Sequence, residues 1–137
     1  MITVGLEFTL RLLNSVMFLV ASNKARRLLH LSYIGRVSVE ELQEGSEELV
    51  AVLSELPAGL QILVDLERLE AMDIGCAKIV GKMMEVMEQH GMELIVRVIP
   101  DPTKDIGFNI ISRFHYRRSP RTATCKTMSE AGKLLKS

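Results

Sequence analysis

The groups in this chain that could do chemistry are few, and their spacing is restrictive. Asp65 closes an apolar run, and Asp73 stands ahead of a segment with helical periodicity. An aspartate in that place either caps the free amides of the first turn itself or leaves them, with the positive end of the helix dipole, to hold an anion or a phosphorylated side chain. Cys76 follows near the same helix start. Exposed there it would gain thiolate character; on the helix stripe with Ile79 and Val80 it is a small core residue. His30, His90 and His115 are scattered, with no HExxH or Cys/His ligand spacing, which argues against a zinc site. Cys76 and Cys125 have no CxxC partner, so neither a disulfide scaffold nor a redox motif is expected. No Ser/His/Asp or Cys/His set follows from spacing, and neither G-x-x-x-x-G-K-[ST] nor G-x-G-x-x-G occurs. These patterns predict a chain with no catalytic residue, no metal and no cofactor.

Something must position the Asp65–Cys76 stretch, and the surrounding pattern says what. Val16–Ala21 and Leu28–Ile34 are short apolar stretches separated by Ser22-Asn23-Lys24, which predicts a hairpin. Ser38 and Glu41 form an S-x-x-E capping box at the start of a helix carrying Leu42, Leu49, Val52, Leu53 and Leu56. Pro57 and Gly59 end it. Leu60–Leu66 is apolar on both faces, as a central strand is. A link, Glu67–Met72, leads to a second helix over about Ile74–His90, with Cys76, Ile79, Val80, Met83, Met84 and Met87 as its buried stripe and Gly91 as C-cap. Leu94–Ile99 reads as a strand. Asp101-Pro102 opens a third helix carrying Ile106, Ile110, Ile111 and Phe114. Arg121–Cys125 is a short strand, and Thr127 with Glu130 caps a last short helix. Alternation of strand and helix predicts an α/β fold: one mixed, largely parallel sheet of four to five strands packed with about four helices.

The 137 residues suffice for one core. Formal net charge is zero, yet Ser38–Glu93 carries thirteen acids and three bases, while Leu94–Ser137 carries three acids and nine bases. Such asymmetry steers charged partners or is simply the solvated surface of the helices. The run Arg113, His115, Tyr116, Arg117, Arg118 and Arg121 is a weak nucleic-acid signal in a neutral chain, so no nucleic acid is expected. Leu12–Ala21 is too short to span a membrane and poorly flanked for a signal peptide. We therefore expect no membrane and a cytoplasmic location, with residues 1–15 an appendage of unknown role and 16–137 the domain.

Asp65-Leu66-Glu67-Arg68-Leu69-Glu70-Ala71-Met72-Asp73 resembles the D-L-x-x-L-x-x-M-D stretch of STAS domains, the family of bacterial anti-sigma factor antagonists. Gly91-Met92-Glu93-Leu94 is similar to the family's G-G-x-L turn, and Thr127-Met128-Ser129-Glu130-Ala131 to its closing S-x-x-E-A helix start. The resemblance runs from about Val16 to Leu135. It implies a STAS-like fold and a regulatory module that binds a protein, either an anti-sigma factor of the serine-kinase type or a stress-signalling assembly, with a homodimer left open. In the family, Ser-Ser-Gly follows the second aspartate and its first serine is phosphorylated. Here those positions are Ile74, Gly75 and Cys76. Isoleucine has no nucleophilic oxygen, so that switch cannot operate at position 74. Ile74 then either packs partly buried or stands as an apolar contact. The partner-binding residues so implied are Ser38, Glu41, Asp73, Ile74, Gly75 and Cys76.

Two other readings stay open from sequence. One is a STAS-like sensor with a pocket for a lipid or nucleotide, which an enclosed apolar cavity would favour. The other is a phospho-aspartate switch at Asp65, placed at a strand end. A receiver of that kind also needs acids after its first strand to hold Mg²⁺, and none follows Val16–Val20.

Overall fold

The computed structural model describes residues 2–4, 8–11, 18–101, 103 and 121–136. These form one seven-stranded sheet in the order of the chain, β1 to β7. The strands are β1 (Ile2–Val4), β2 (Phe8–Arg11), β3 (Phe18–Asn23), β4 (Leu28–Val37), β5 (Leu60–Met72), β6 (Met92–Val98) and β7 (Arg121–Cys125). The first four pair antiparallel, and β4 to β7 are parallel. β3 to β7 are the mixed sheet expected, and β1 with β2 lengthens it at the antiparallel edge. Three helices are described: α1 (Val39–Leu53), α2 (Cys76–Gln89) and α3 (Met128–Leu134). About four were expected; the remaining one, carrying Ile106 to Phe114, lies outside the described residues. Asp101, its expected cap, accepts a hydrogen bond from the Thr103 amide at 3.0 Å. No described helix is long and apolar enough to cross a membrane.

Side chains on the parallel strands alternate between two cores, as period-two geometry requires. Leu29, Leu31, Tyr33, Ile62, Val64 and Ile95 meet α1 and α2 on one face. Leu28, Leu63, Val96, Val98 and Cys125 meet Ala131 of α3 on the other. The β4–α1–β5 and β5–α2–β6 crossovers advance in one direction, and the right-handed rule then puts both helices on one face. Met83, Met84 and Met87 are buried there as the helical spacing predicted.

β5 corrects the sequence reading. It was expected to end at Leu66, but it runs on to Met72, where it still pairs with Val37 of β4. Its register slips between Ser32/Asp65 and Ile34/Arg68, so β5 carries an extra residue, a bulge. Leu66 and Leu69, three apart, therefore both enter the α1/α2 core, and the alternation that would mark a strand is lost from the sequence. A second slip follows at Gly35, whose φ of 65° suits glycine.

Gly45 in α1 has a packing role. A Cβ there would collide with the ring of Phe18, closest at Cδ2 and 2.6 Å from Cε2. The missing side chain lets β3 and α1 close on each other, with Phe18 against Tyr33 at 4.8 Å between ring centroids. At the far end of the sheet Gln61, only 4% exposed, holds the chain end: its Nε2 donates to the carbonyls of Arg26 and Lys136, and its Oε1 accepts from the Lys136 amide.

Candidate functional site at the turn before helix α2

The long partner strands β4 and β5 end together at Val37 and Met72. One chain then enters α1 and the other turns into α2, so Ser38, Glu41, Asp73, Ile74, Gly75 and Cys76 meet at one corner. The Val37 carbonyl organises it. It accepts from the Asp73 amide at 3.1 Å and from the Cys76 Sγ at 3.7 Å. The Asp73 carbonyl accepts from the Cys76 amide at 2.9 Å, and the Ile74 carbonyl from the Ala77 amide at 3.3 Å. Two bonds thus hold a short turn against the sheet end, and two more close the turn on itself.

On the α1 side, Ser38 is the N-cap and its Oγ accepts from the Glu41 amide at 3.2 Å. Its hydroxyl also donates to Glu41 Oε1 at 2.9 Å. The serine half of the expected capping box is present, and the Glu41 carboxylate meets the Ser38 hydroxyl. On the α2 side the expectation fails. Asp73 is not the cap; Gly75 is, with no side-chain hydrogen bond. The helix begins two residues later than expected because Asp73 remains tied by its amide to β4. Its carboxylate is left exposed.

Gly75 has ordinary right-handed backbone angles, so its requirement is space. A Cβ would come 2.9 Å from Val39 Cγ2, and a larger residue would push the starts of α1 and α2 apart. Val39 is the partner that the sequence reading did not single out; nothing in its spacing marks it.

Ile74 and Cys76 point opposite ways. Ile74 is 96% exposed, the most exposed large apolar residue described, while Cys76 is 0% exposed. Ile74 therefore does not pack against its own chain. Cys76 is a core wedge beneath the turn and has no surface to offer a partner, which corrects its inclusion among contact residues. Its thiol is not activated either. Burial first, then the charges of Asp73, Glu40 and Glu41, push its pKa up, and a hydrogen bond with the Asp73 backbone offsets this only in part.

The other sequence candidates sit elsewhere. Asp65 lies inside β5, not at a strand end, and its Oδ1 accepts from the Glu67 amide at 2.9 Å across the bulge. No group of three or more His, Cys, Asp or Glu converges on a metal position among the described residues. An apolar cavity does lie between α2 and the sheet, among Leu31, Val64, Met83, Met84 and Met87, but it holds about 30 Å³. That is room for one water, far below the volume of a lipid or nucleotide site. Residues 113–118 of the basic run lie outside the described residues, and Arg121 is exposed on β7.

The mixed sheet with its crossing helices matches solved anti-sigma factor antagonists along nearly the whole chain, and the fold is STAS-like. The phosphorylated form of SpoIIAA, the Bacillus cell fate determinant, superposes with a TM-score of 0.56 at 15% identity, over 93% of this chain and 97% of that one. An anti-sigma factor antagonist from Mycobacterium paratuberculosis matches at 0.56 and 14% identity, over 99% and 100%. An uncharacterised DUF3478 protein with a SpoIIAA-like fold from Shewanella loihica PV-4 matches at 0.62 and 11% identity, over 94% of each. No protein-family profile matches the sequence, and no curated protein does.

Proposed function

We propose that this chain is a non-catalytic regulatory module of the anti-sigma factor antagonist kind, which docks a protein partner on the Asp73–Gly75 turn and the adjoining start of α1. The partner is an anti-sigma factor of the serine-kinase type or a stress-signalling assembly, and the setting is cytoplasmic. Docking here proceeds without a phosphoacceptor, since Ile74 stands where the family carries serine.

The observation that carries the reading is Ile74, 96% exposed on a turn fixed by four hydrogen bonds. A branched hydrocarbon held rigidly in water costs solvation and loses little further entropy on binding. Buried in a partner's socket it contributes about 1.5–3 kcal/mol, roughly 10- to 150-fold in affinity. Ile74→Asp should therefore weaken binding to a purified kinase-type anti-sigma factor by at least about tenfold while leaving the fold intact. Equal affinity of wild type and variant would remove the basis for the proposal. The pocket-sensor reading finds no support in the apolar cavity of about 30 Å³, and the polar pocket of about 200 Å³ among Arg26, Arg27, Gln61, Glu93 and Lys136 is also smaller than the usual ligand site.

A further inference from the structure

We infer that the partner surface is basic: it presents an apolar socket for Ile74 and, beside it, a row of lysines or arginines facing the glutamates of α1. The inference rests on the docking reading above and specifies the chemistry of its partner.

Val39–Leu53 contains Glu40, Glu41, Glu44, Glu47 and Glu48 and no basic residue. Glu40 and Glu41 have a structural reason, because acids in the first turn complement the helix dipole. Glu44 and Glu47 do not. The neighbours of Glu44 three and four residues away are Glu40, Glu41, Glu47 and Glu48, all of its own sign, and such pairs destabilise a helix. Glu40, Glu44 and Glu47 are exposed and form one stripe, about 10 Å long at the helical rise. It starts at the turn: Glu40 follows Val39, whose Cγ2 lies 2.9 Å from where a Cβ on Gly75 would stand. No base stands three or four residues from Glu44 or Glu47, so α1 itself does not neutralise the stripe. A helix that carries repulsion its own stability does not call for, running from an exposed apolar anchor, is complementary to a positive surface, and such complementarity acts chiefly on the rate of encounter.

The test uses the purified kinase-type anti-sigma factors of the genome that encodes this chain, with association and dissociation rates measured for wild type, Glu44→Lys and Ile74→Asp. Lysine at position 44 has opposite charges on all four sides, so Glu44→Lys should melt no lower than wild type. At about 10 mM ionic strength, where the Debye length is roughly 30 Å, it should associate about three- to tenfold more slowly, and the difference should vanish near about 1 M. Ile74→Asp should instead dissociate faster. If Ile74→Asp weakens binding but wild type and Glu44→Lys associate equally fast at low salt, the basic surface is refuted and the docking reading stands. If Ile74→Asp binds as wild type does, or no protein of the set binds, both fall.

Discussion

Glycine in the middle of a helix is ordinarily a weakness, and replacing it with alanine stabilises by about 1 kcal/mol. At Gly45 the packing reverses the sign. The new methyl carbon would lie 2.6 Å from Phe18 Cε2 and nearer still to Cδ2. Ordinary carbon contacts are about 3.5–4.0 Å, so the ring must retreat by roughly 1 Å or more. It has nowhere to go: Phe18 is 0% exposed, and the Tyr33 ring stands 4.8 Å behind it between centroids. Overpacking of a filled core costs about 1–3 kcal/mol, and a displacement of this size belongs at the upper end. Gly45→Ala should therefore destabilise by about 2 kcal/mol net, lowering the melting temperature by about 6–10 °C for a chain of this size. Urea unfolding followed by circular dichroism measures it. In a Phe18→Leu background the same change should be neutral or stabilising, a coupling of about 2–3 kcal/mol. An alanine variant as stable as wild type, or an effect unchanged by Phe18→Leu, would refute the packing argument.

Two further outcomes follow from the sheet and the turn. Burial holds the His30 pKa below its ordinary value of 6.5, with the Asp65 charge opposing; the unfolded chain therefore takes up this proton first, and stability should fall as pH drops below about 6.5. Urea midpoints between about pH 5 and 8 should show that slope in wild type and not in His30→Gln, and equal slopes would exclude His30 as its source. Ile74→Ser restores a hydroxyl at the exposed turn, so incubation with the kinase-type partner and ATP should yield phosphoserine at position 74 by mass spectrometry; an unmodified serine in a complex that still forms would mean that the turn does not meet the kinase site.

The alternation of strands and helices was legible because each helix brings its own punctuation. Ser38/Glu41 and Thr127/Glu130 mark starts, and Gly91, with φ of 91°, marks the turn into β6. The end of β5 was not legible, since the bulge makes Leu66 and Leu69 share a face and leaves the charged Glu67, Arg68 and Glu70 looking like a link. The corner itself was found through its resemblance to the STAS stretch, but the roles within it were not. Whether Asp73 caps α2 depends on its amide being taken by Val37, a residue far away in the chain. The opposite fates of Ile74 and Cys76 depend on which side of one tight turn each occupies, and two apolar residues so close give no periodicity to read. Gly45 looks like a flaw in a helix until Phe18 is placed above it.

The most direct test of the docking surface is photo-cross-linking from position 74 in growing cells, with Lys24 as control; Lys24 is exposed at the β3–β4 turn, at the other end of β4. The probe at 74 should capture one discrete protein, identified by mass spectrometry as an anti-sigma factor of the kinase type, and the probe at 24 should not. The absence of any adduct at 74, or the same adducts from both positions, would contradict the account.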